Sequence, residues 1–299
     1  MMQEEKVVLF TLDGKAVPGI EHVVSDSFVV RSFLQTALQV DVTTLYNTLN
    51  KDAFWTDPSN PDFMYRGREL ARQKAFLVKE MGDDDDGVVS MDVEPSVMPI
   101  YRYPGFQYGS MQHYRDMRTL PEVDNLVEEV CNRSLFAGKP VKVNHVILTK
   151  YRGADDNIGF HSDKTRDMTP GSPILSLSFG ESREFHLGTP DPSDPKMSTI
   201  TTHRIVLNPG DLFILGPKTN ESHRHSIVPV ADEKLITREN DVIVGSRISM
   251  VLRDIKSVMS REEARKRALK TQGLRKLRAA ESKTAGKKKK QSVKRKTSK

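Results

Sequence analysis

Seven short strand-like segments separated by turn residues constrain the fold of this chain more than any other feature. They lie at Val141–Tyr151, Ile174–Phe179, Arg183–Leu187, Thr201–Leu207, Asp211–Leu215, His223–Val230 and Ser246–Ile255. Many short strands with regular turn signals are typical of a closed or two-sheet all-β core. The turn Asn208-Pro209-Gly210-Asp211 has Pro and Gly where type II geometry favours them, so it predicts a hairpin between its flanking strands.

The last of these segments alternates almost strictly in polarity. One face of the predicted strand carries Ile248, Met250 and Leu252, and the other carries Arg247, Ser249, Val251 and Arg253. The apolar face predicts core packing. The arginine face has two interpretations: a solvated sheet surface, or a cavity wall where each buried guanidinium pairs with an anion.

A possible metal site is the second strong feature. His161 and Asp163 are two residues apart, so in a strand both side chains project from the same face. Two histidines and one carboxylate on one face of a metal leave the opposite positions open, as in non-haem Fe(II) oxygenases. His223 and His225 both qualify as the second histidine, because they are also two apart and face the same way. An H-x-D pair alone is weak evidence, since many chains contain one by chance.

The order of these motifs resembles the AlkB-type Fe(II)- and 2-oxoglutarate-dependent dioxygenases. The matching pieces are His161 and Asp163, then Gly210-Asp211 with an apolar strand, then H-S-I-V-P from His225, then the R-x5-R pair Arg247 and Arg253. Further matches are Tyr151, the segment Ser176–Gly180, and Arg183-Glu184-Phe185. The resemblance spans about residues 100 to 255 and favours His225 over His223 as a ligand.

The resemblance implies a role for each group of residues. Fe(II) would be bound by His161, Asp163 and His225. The cosubstrate 2-oxoglutarate would be contacted by Tyr151, Arg247, Ser249 and Arg253, with Arg253 also orienting Asp163, and O2 would be the second cosubstrate. Substrate contacts are expected from Arg66, Arg68, Tyr101, Tyr103, Thr165 and Arg183; core packing is the alternative for the two tyrosines, and ordinary surface charge for Arg66 and Arg68.

The chain departs from the family pattern at three positions. Thr149 replaces the first residue of the usual N-x-Y, and Ser249 stands where an asparagine is common. Thr165 stands where many members carry an acidic residue near the target base. The resemblance therefore does not define which base the protein prefers.

The expected fold class is α+β with a mainly β core, and the resemblance specifies a double-stranded β-helix, or jelly roll. Residues 1–98 would form an N-terminal helical and strand buttress with a substrate lid, 99–255 the dioxygenase domain, and 256–299 a basic helix and disordered tail. Local patterns predict a hairpin turning at Asp13-Gly14 and helices at Asp26–Leu38, Val42–Leu49 and Pro121–Arg133.

Composition and charge predict the cellular compartment of the protein and one class of binding partner. The single cysteine and the lack of a long apolar run predict an intracellular protein without membrane contact, nuclear if the source is eukaryotic. Residues 256–299 hold 18 Lys or Arg against three acidic residues, a net charge of +15, so the preceding residues carry −9. Ser260 and Glu263 form a capping box that opens the basic helix. The basic segment predicts nucleic-acid contact; a merely solubilising tail is the alternative.

The predicted function is oxidative demethylation of N-alkylated bases in DNA or RNA, with nucleic acid bound through the active site and the basic tail. Two alternatives remain open. A dioxygenase of the same fold could hydroxylate a protein side chain, with the tail acting as a localisation signal. A non-catalytic nucleic-acid adaptor with a vestigial site is the other.

Overall fold

A computed structural model gives the architecture of this protein. It describes residues 10–51, 55, 64–65, 68–69, 72–79, 97–103, 106, 108–196, 198–230, 238–239, 242–243, 246–271 and 273. Within these ranges most of the regular structure is β, as the sequence predicts.

The largest sheet has eight strands and carries the two arginines of the alternating segment at its centre. In spatial order its strands are β3 (Ile20–Val24), β4 (Ser27–Val30), β17 (Leu212–Leu215), β14 (Ile174–Gly180), β21 (Arg247–Arg253), β12 (His145–Tyr151), β7 (Gln73–Val78) and β9 (Arg115–Asp116). Neighbouring strands are antiparallel except β7 and β9, which run parallel. Both faces of β21 are buried: Ile248, Met250 and Leu252 pack into an apolar core, and the arginine face looks into a cavity. The solvated interpretation of that face is therefore wrong.

A four-stranded sheet lies across the cavity from the large one. Its order is β13 (Ile158–His161), β18 (Arg224–Ile227), β15 (Arg183–Pro190) and β16 (Thr199–Leu207). Side chains from both sheets, among them Phe185 and Phe213 with ring centroids 4.5 Å apart, form one apolar cluster. Two facing sheets of this kind are consistent with the jelly roll that the resemblance implies.

The turn at 208–211 forms as predicted, but the predicted hairpin does not. Gly210 has φ +89°, and the Asp211 amide donates to the Asn208 carbonyl at 3.0 Å. The strand before the turn, β16, belongs to the small sheet, whereas the strand after it, β17, belongs to the large one. The turn residues specify the local reversal of the chain, and tertiary pairing decides which partner each strand takes.

The N-terminal region confirms the predicted hairpin and contradicts the helix predicted from Asp26 to Leu38. The hairpin at Asp13-Gly14 joins two strands of a third sheet, whose order is β11 (Lys139–Pro140), β10 (Ser134–Phe136), β1 (Phe10–Leu12) and β2 (Lys15–Ala16). The segment predicted to be helical from Asp26 to Leu38 is instead strand β4 followed by one short helix. All four residues of β4 are buried, and β4 pairs with β17, so sheet pairing overrides the helical pattern.

The remaining elements surround the two facing sheets. The helices are α1 (Phe33–Thr36), α2 (Val42–Leu49), α3 (Pro121–Arg133), α4 (Pro217–Ser222) and α5 (261–271), with 3₁₀ turns at Tyr108–His113 and Met117–Thr119. Two-stranded pairs are β5 (Met64–Tyr65) with β6 (Arg68–Glu69), β8 (Val97–Pro99) with β22 (Val258–Ser260), and β19 (Arg238–Glu239) with β20 (Val242–Ile243). Helices α2 and α3 match their predicted bounds, and the Asp41 carboxylate caps α2 by accepting from the Thr43 and Thr44 amides.

Strands from the N-terminal region complete the large sheet. Because β3, β4 and β7 pair directly into it, the predicted division between residues 98 and 99 is not visible there. At the other end, α5 begins after Ser260, whose hydroxyl accepts from the Glu263 amide at 3.1 Å. The residues beyond 273 lie outside the described part of the chain, and no helix in the described part is long and apolar enough to cross a membrane.

Candidate active site

The small sheet brings the three predicted metal ligands together. His161 ends β13 and lies directly opposite His225 of β18, with ring centroids 4.2 Å apart. Asp163 follows in the loop after β13 rather than within the strand, and its Oδ1 lies 4.0 Å from Nε2 of His161. One ligand atom from each of the three residues falls within 4.8 Å of the others. His223 lies outside this group, with its ring 6.4 Å from that of His203.

Both histidines of the cluster are suited to bind a metal in the neutral form. Nδ1 of His161 donates to the Gly159 carbonyl at 2.9 Å, which leaves Nε2 as the ligand atom. Burial lowers the pKa of His161, and burial together with the neighbouring His161 ring lowers the pKa of His225 to about 3. Nδ1 of His225 is buried and has no hydrogen-bond partner among the described residues.

The third ligand, Asp163, is held in its ionised form by an arginine. Burial by itself would raise the pKa of its carboxyl, but Arg253 and the two imidazoles overcome this effect and lower it. An Nη2 atom of Arg253 donates to Oδ2 of Asp163 at 2.6 Å, so Oδ1 faces the histidines. The guanidinium of Arg253 also lies 4.7 Å above the Tyr101 ring. Arg253 therefore occupies Oδ2 and leaves Oδ1 as the oxygen that a metal held by the cluster would reach.

At the other end of β21, Arg247 is a buried cation whose hydrogen-bond donors are only partly used. Its side chain is fully buried, and one Nη atom donates to the Ser178 hydroxyl at 3.0 Å. Its Nε and other Nη atom have no hydrogen-bond partner in the described ranges. Burial lowers its pKa to about 10, so it stays cationic at neutral pH. A buried cation with two unpartnered donors fits a carboxylate, which can accept both hydrogen bonds.

The metal cluster and Arg247 line one cavity of 330 Å³ between the two sheets. The remaining residues predicted to contact 2-oxoglutarate, Tyr151, Ser249 and Arg253, line it as well. Tyr151 is buried with its ring 6.0 Å from the Arg247 guanidinium, and burial raises the pKa of its hydroxyl. Ser249 shares a 3.1 Å hydrogen bond with Ser176. The cavity therefore holds both a cluster that is suited to a metal and a buried guanidinium that is suited to a carboxylate.

Of the residues predicted to contact substrate, the two tyrosines line this cavity in different ways. Tyr101 is buried; its hydroxyl accepts from the Lys164 amide at 3.0 Å and its ring supports Arg253. Tyr103 is half-buried and stacks on Phe76, with ring centroids 6.0 Å apart and planes 5° from parallel. These contacts favour the packing alternative for Tyr101, whereas Tyr103 lies less deeply buried in the wall of the cavity.

The other predicted substrate residues lie elsewhere. Arg183 is buried outside the cavity and donates to the carbonyls of Gly153 and Ala154, so its contacts indicate support of that loop rather than substrate contact. Thr165 is exposed and lines a second cavity of 540 Å³, which also contains Asp163. Arg66 lies outside the described residues, and the side chain of Arg68 does as well.

Several cavity residues were missed from the sequence. The segment Ser176–Gly180 matches the family pattern, but no role was predicted for Ser176 or Ser178, whose hydroxyls bond Ser249 and Arg247. Lys74 places its amine 4.8 Å from the centroid of the Tyr103 ring, and Arg72 also lines the cavity. Asn220, which bonds the backbone of Asp163, gave no signal because only the folded chain brings α4 to the metal cluster.

The donor set fits Fe(II) and 2-oxoglutarate. Two imidazoles whose pKa values are lowered and one ionised carboxylate form the two-histidine, one-carboxylate group of non-haem iron oxygenases. The unpartnered donors of Arg247 match the distal carboxylate of a dicarboxylic acid in the same cavity. The observations thus support both cofactor predictions independently of any relative.

Comparison with known families agrees with this geometry. The model of the 2OG-Fe(II) oxygenase superfamily matches residues 65–253, more than half of the chain, so the protein belongs to this superfamily. The prediction of an Fe(II)- and 2-oxoglutarate-dependent dioxygenase, with O2 as cosubstrate, is confirmed at the level of the family. The matched span begins before the predicted boundary at residue 99 and includes β7.

Individual relatives confirm the resemblance to AlkB-type proteins. The chain is 36% identical over 98 residues to the DNA oxidative demethylase ALKBH2 of Mus musculus, covering 32% of this chain and 41% of that protein. Identity to the Homo sapiens ALKBH2 is also 36% over 98 residues, covering 32% and 37%. The chain thus spans about two fifths of the length of the curated relatives it matches. A solved structure of OsALKBH1 aligns with a TM-score of 0.44 and 16% identity, covering 79% of this chain and 99% of that one.

Proposed function

We propose that this protein oxidatively demethylates N-alkylated bases in nucleic acid. The observation that carries the proposal is the position of Tyr103: a half-buried ring, stacked on Phe76 and approached by the Lys74 amine, in the cavity that holds the metal cluster. A planar base can stack on such a ring, and a nearby cation suits the phosphates that accompany it. The curated relatives, DNA oxidative demethylases, support the same substrate class.

Residues of the cavity would perform two tasks, binding of the cosubstrate and orientation of the metal ligands. Arg247, with Tyr151 beside it, would hold the distal carboxylate of 2-oxoglutarate, while Arg253 keeps one oxygen of Asp163 directed at the histidines. Bound there, Fe(II) would supply the activation of O2 that oxidises an N-methyl group. One oxygen atom enters succinate, formed with carbon dioxide from 2-oxoglutarate, and the other enters the N-hydroxymethyl group. That group then releases formaldehyde and leaves the unmodified base.

Apolar residues of both sheets would exclude water from the reacting centre. Ile147, Val251, Phe213 and Ile227 line the cavity between Arg247 and the metal cluster. Phe185 stacks on the His225 ring at 5.6 Å and restricts its rotation. Water exclusion matters here because it strengthens the interaction of Arg247 with a carboxylate and protects reactive species from side reactions.

The basic C-terminal segment is proposed to contact nucleic acid outside the cavity. Helix α5 is attached to the protein body by Arg261, which donates to the carbonyls of Met111 and Tyr114. Arg267 lies 5.4 Å from the Tyr108 ring, and Tyr108 is linked to Tyr103 through the Phe106 ring. The start of the basic segment therefore lies close to Tyr103, an aromatic residue that lines the cavity. A polyanion bound along this segment would lie near the cavity. We also propose that the protein is nuclear if its source is eukaryotic.

A substrate-class assay tests the proposal. Succinate and formaldehyde should form in equal amounts when the iron-loaded protein is given a methylated DNA or RNA oligonucleotide, and formaldehyde should be absent with the unmethylated oligonucleotide. The variant His161→Ala should form neither product, because the metal loses one of three ligands. Peptides that stimulate succinate formation while all methylated oligonucleotides fail would contradict the proposal and indicate a protein hydroxylase instead.

A further inference from the structure

The backbone of Asp163 is held by a side chain from a different part of the molecule. Strand β13 ends at His161, so Asp163 lies beyond the last residue that pairs with β18. The side-chain oxygen of Asn220 accepts from the Asp163 amide at 2.9 Å, and the side-chain nitrogen donates to the Asp163 carbonyl at 3.0 Å. Both backbone groups of the iron ligand are therefore satisfied by one buried amide.

Asn220 is itself fixed by a turn near the N-terminus. The carboxylate of Asp26, between β3 and β4, accepts from the amides of Lys218 and Thr219 at 2.9 Å each and from the Thr219 hydroxyl at 2.9 Å. These bonds attach the first turn of α4 to the hairpin. Gly216, just before the helix, approaches Asp26 so closely that a Cβ atom would lie 2.1 Å from its carboxyl carbon. The hairpin thus determines where α4, and with it Asn220, can lie.

We propose that Asn220 is a positioning residue for the iron ligand Asp163, and that the Asp26 turn holds it in place. Arg253 orients the carboxylate of Asp163, whereas Asn220 fixes the backbone from which that carboxylate extends. Two constraints of this kind define the ligand's position, since a side chain oriented on a movable backbone can still miss the metal. Asp26 lies outside the residues 65–253 that match the superfamily model. The inference rests on the iron centre and not on the nucleic-acid substrate.

The test measures binding of Co(II) alone to the metal-free, full-length protein, followed by the visible absorption of the bound ion. Asn220→Leu keeps roughly the volume of the side chain and removes both hydrogen bonds. It should weaken Co(II) binding by about 10- to 100-fold, the usual effect of losing a group that orients a ligand. Asp26→Asn, one contact further away, should weaken binding in the same direction but less. Glu221→Gln is the matched control, because Glu221 is exposed on the same helix and its side chain forms no hydrogen bond or ion pair in the described ranges; the affinity of this variant should equal that of the wild type.

Thermal unfolding of the metal-free variants separates positioning from general stability. Unchanged Co(II) affinity in Asn220→Leu, with or without a lower melting temperature, would overturn the proposal. Equal weakening in Glu221→Gln would also overturn it, because the effect would then belong to the helix as a whole. Should Asn220→Leu not fold, Asn220→Ala and Asp26→Asn provide the same comparison. A wild type that binds no Co(II) would instead contradict the iron centre, whereas a failed demethylation assay would leave this result standing.

Discussion

Replacing His145 with phenylalanine should reduce the dependence of folding stability on pH. The His145 side chain is completely buried, and neither ring nitrogen has a hydrogen-bond partner among the described residues. Its ring lies among those of Tyr101, Tyr114 and Phe76, at centroid distances of 5.8 to 6.3 Å. Burial, aided by the charge of Arg253 opposite it on β21, lowers its pKa to about 3. The residue is therefore neutral in the folded protein.

The expected magnitude follows from proton linkage. An unfolded histidine has a pKa of about 6.5, so between pH values of about 6.5 and 3 the unfolded chain binds one more proton at this position than the folded chain. Because the folded pKa is the lower one, the stability is fully present above about pH 6.5 and is lost as the pH falls. Each pH unit well inside this window costs about 1.4 kcal/mol. Between about pH 7 and about pH 5.5 the loss from His145 alone comes to about 1 kcal/mol.

Urea unfolding of the metal-free protein at these two pH values measures the effect. The free energy of unfolding of the wild type should fall by about 1 kcal/mol more than that of His145→Phe. The other histidines are the same in both proteins, so their contributions cancel in the comparison. Phe76→Leu is the control: it changes packing against the same ring and should lower stability equally at both pH values. Identical pH dependence in the wild type and His145→Phe would refute the reasoning.

Three further outcomes test the site and its surroundings. Arg247→Leu should raise KM for 2-oxoglutarate on the order of 100-fold in a decarboxylation assay, because a buried carboxylate would lose its cation; an unchanged KM would contradict the assigned role. Asp167→Asn should cost about 2 kcal/mol in urea unfolding at neutral pH, since it removes the ion pair with Arg102. Burial alone would raise the pKa of Asp167, but hydrogen bonds from Arg102 overcome this effect and lower it. In the wild type, the stability that the ion pair contributes is therefore lost only as the pH falls below about 4. Asp167→Asn should lack this loss of stability in acid. Deleting residues 274–299 should weaken oligonucleotide binding and flatten its dependence on log salt, while succinate formation without nucleic acid stays unchanged; an unaltered salt slope would indicate that the tail is only solubilising.

Local patterns predicted the elements well where one periodicity dominated. Helix α3 has the predicted bounds, and the alternation of residues 247–253 gave both the strand and its two faces. The segment 26–38 failed because consecutive apolar residues such as Val29 and Val30 fit a helix face and a strand buried on both sides equally well. Pairing with β17 decided the outcome, and that contact spans about 180 residues of sequence. No local signal carries information over such a distance.

The metal ligands were predictable for a different reason. A metal requires specific donor atoms, and the spacing of His161 and Asp163 satisfies that requirement within three residues. The residues that hold those ligands have no such requirement. Any buried amide that reaches the Asp163 backbone could serve, so Asn220 has no recognisable pattern around it. The prediction for Thr165 was limited in the same way. Its position two residues after Asp163 correctly placed it near the cluster, but the sequence did not show that it lines the second cavity and not the main one.

The two arginines of β21 show how hydrogen-bond partners assign roles that the sequence leaves equivalent. Arg247 and Arg253 are the same residue type on the same face of one strand, and both are buried. Arg253 already has a carboxylate within the protein, at 2.6 Å, and an aromatic ring beneath it. Among the described residues, Arg247 has the Ser178 hydroxyl as its hydrogen-bond acceptor, and a neutral acceptor does not compensate a buried charge. Since an uncompensated buried charge is costly, Arg247 is suited to an anion that is not among the described residues, and this end of the cavity is the proposed place for the cosubstrate.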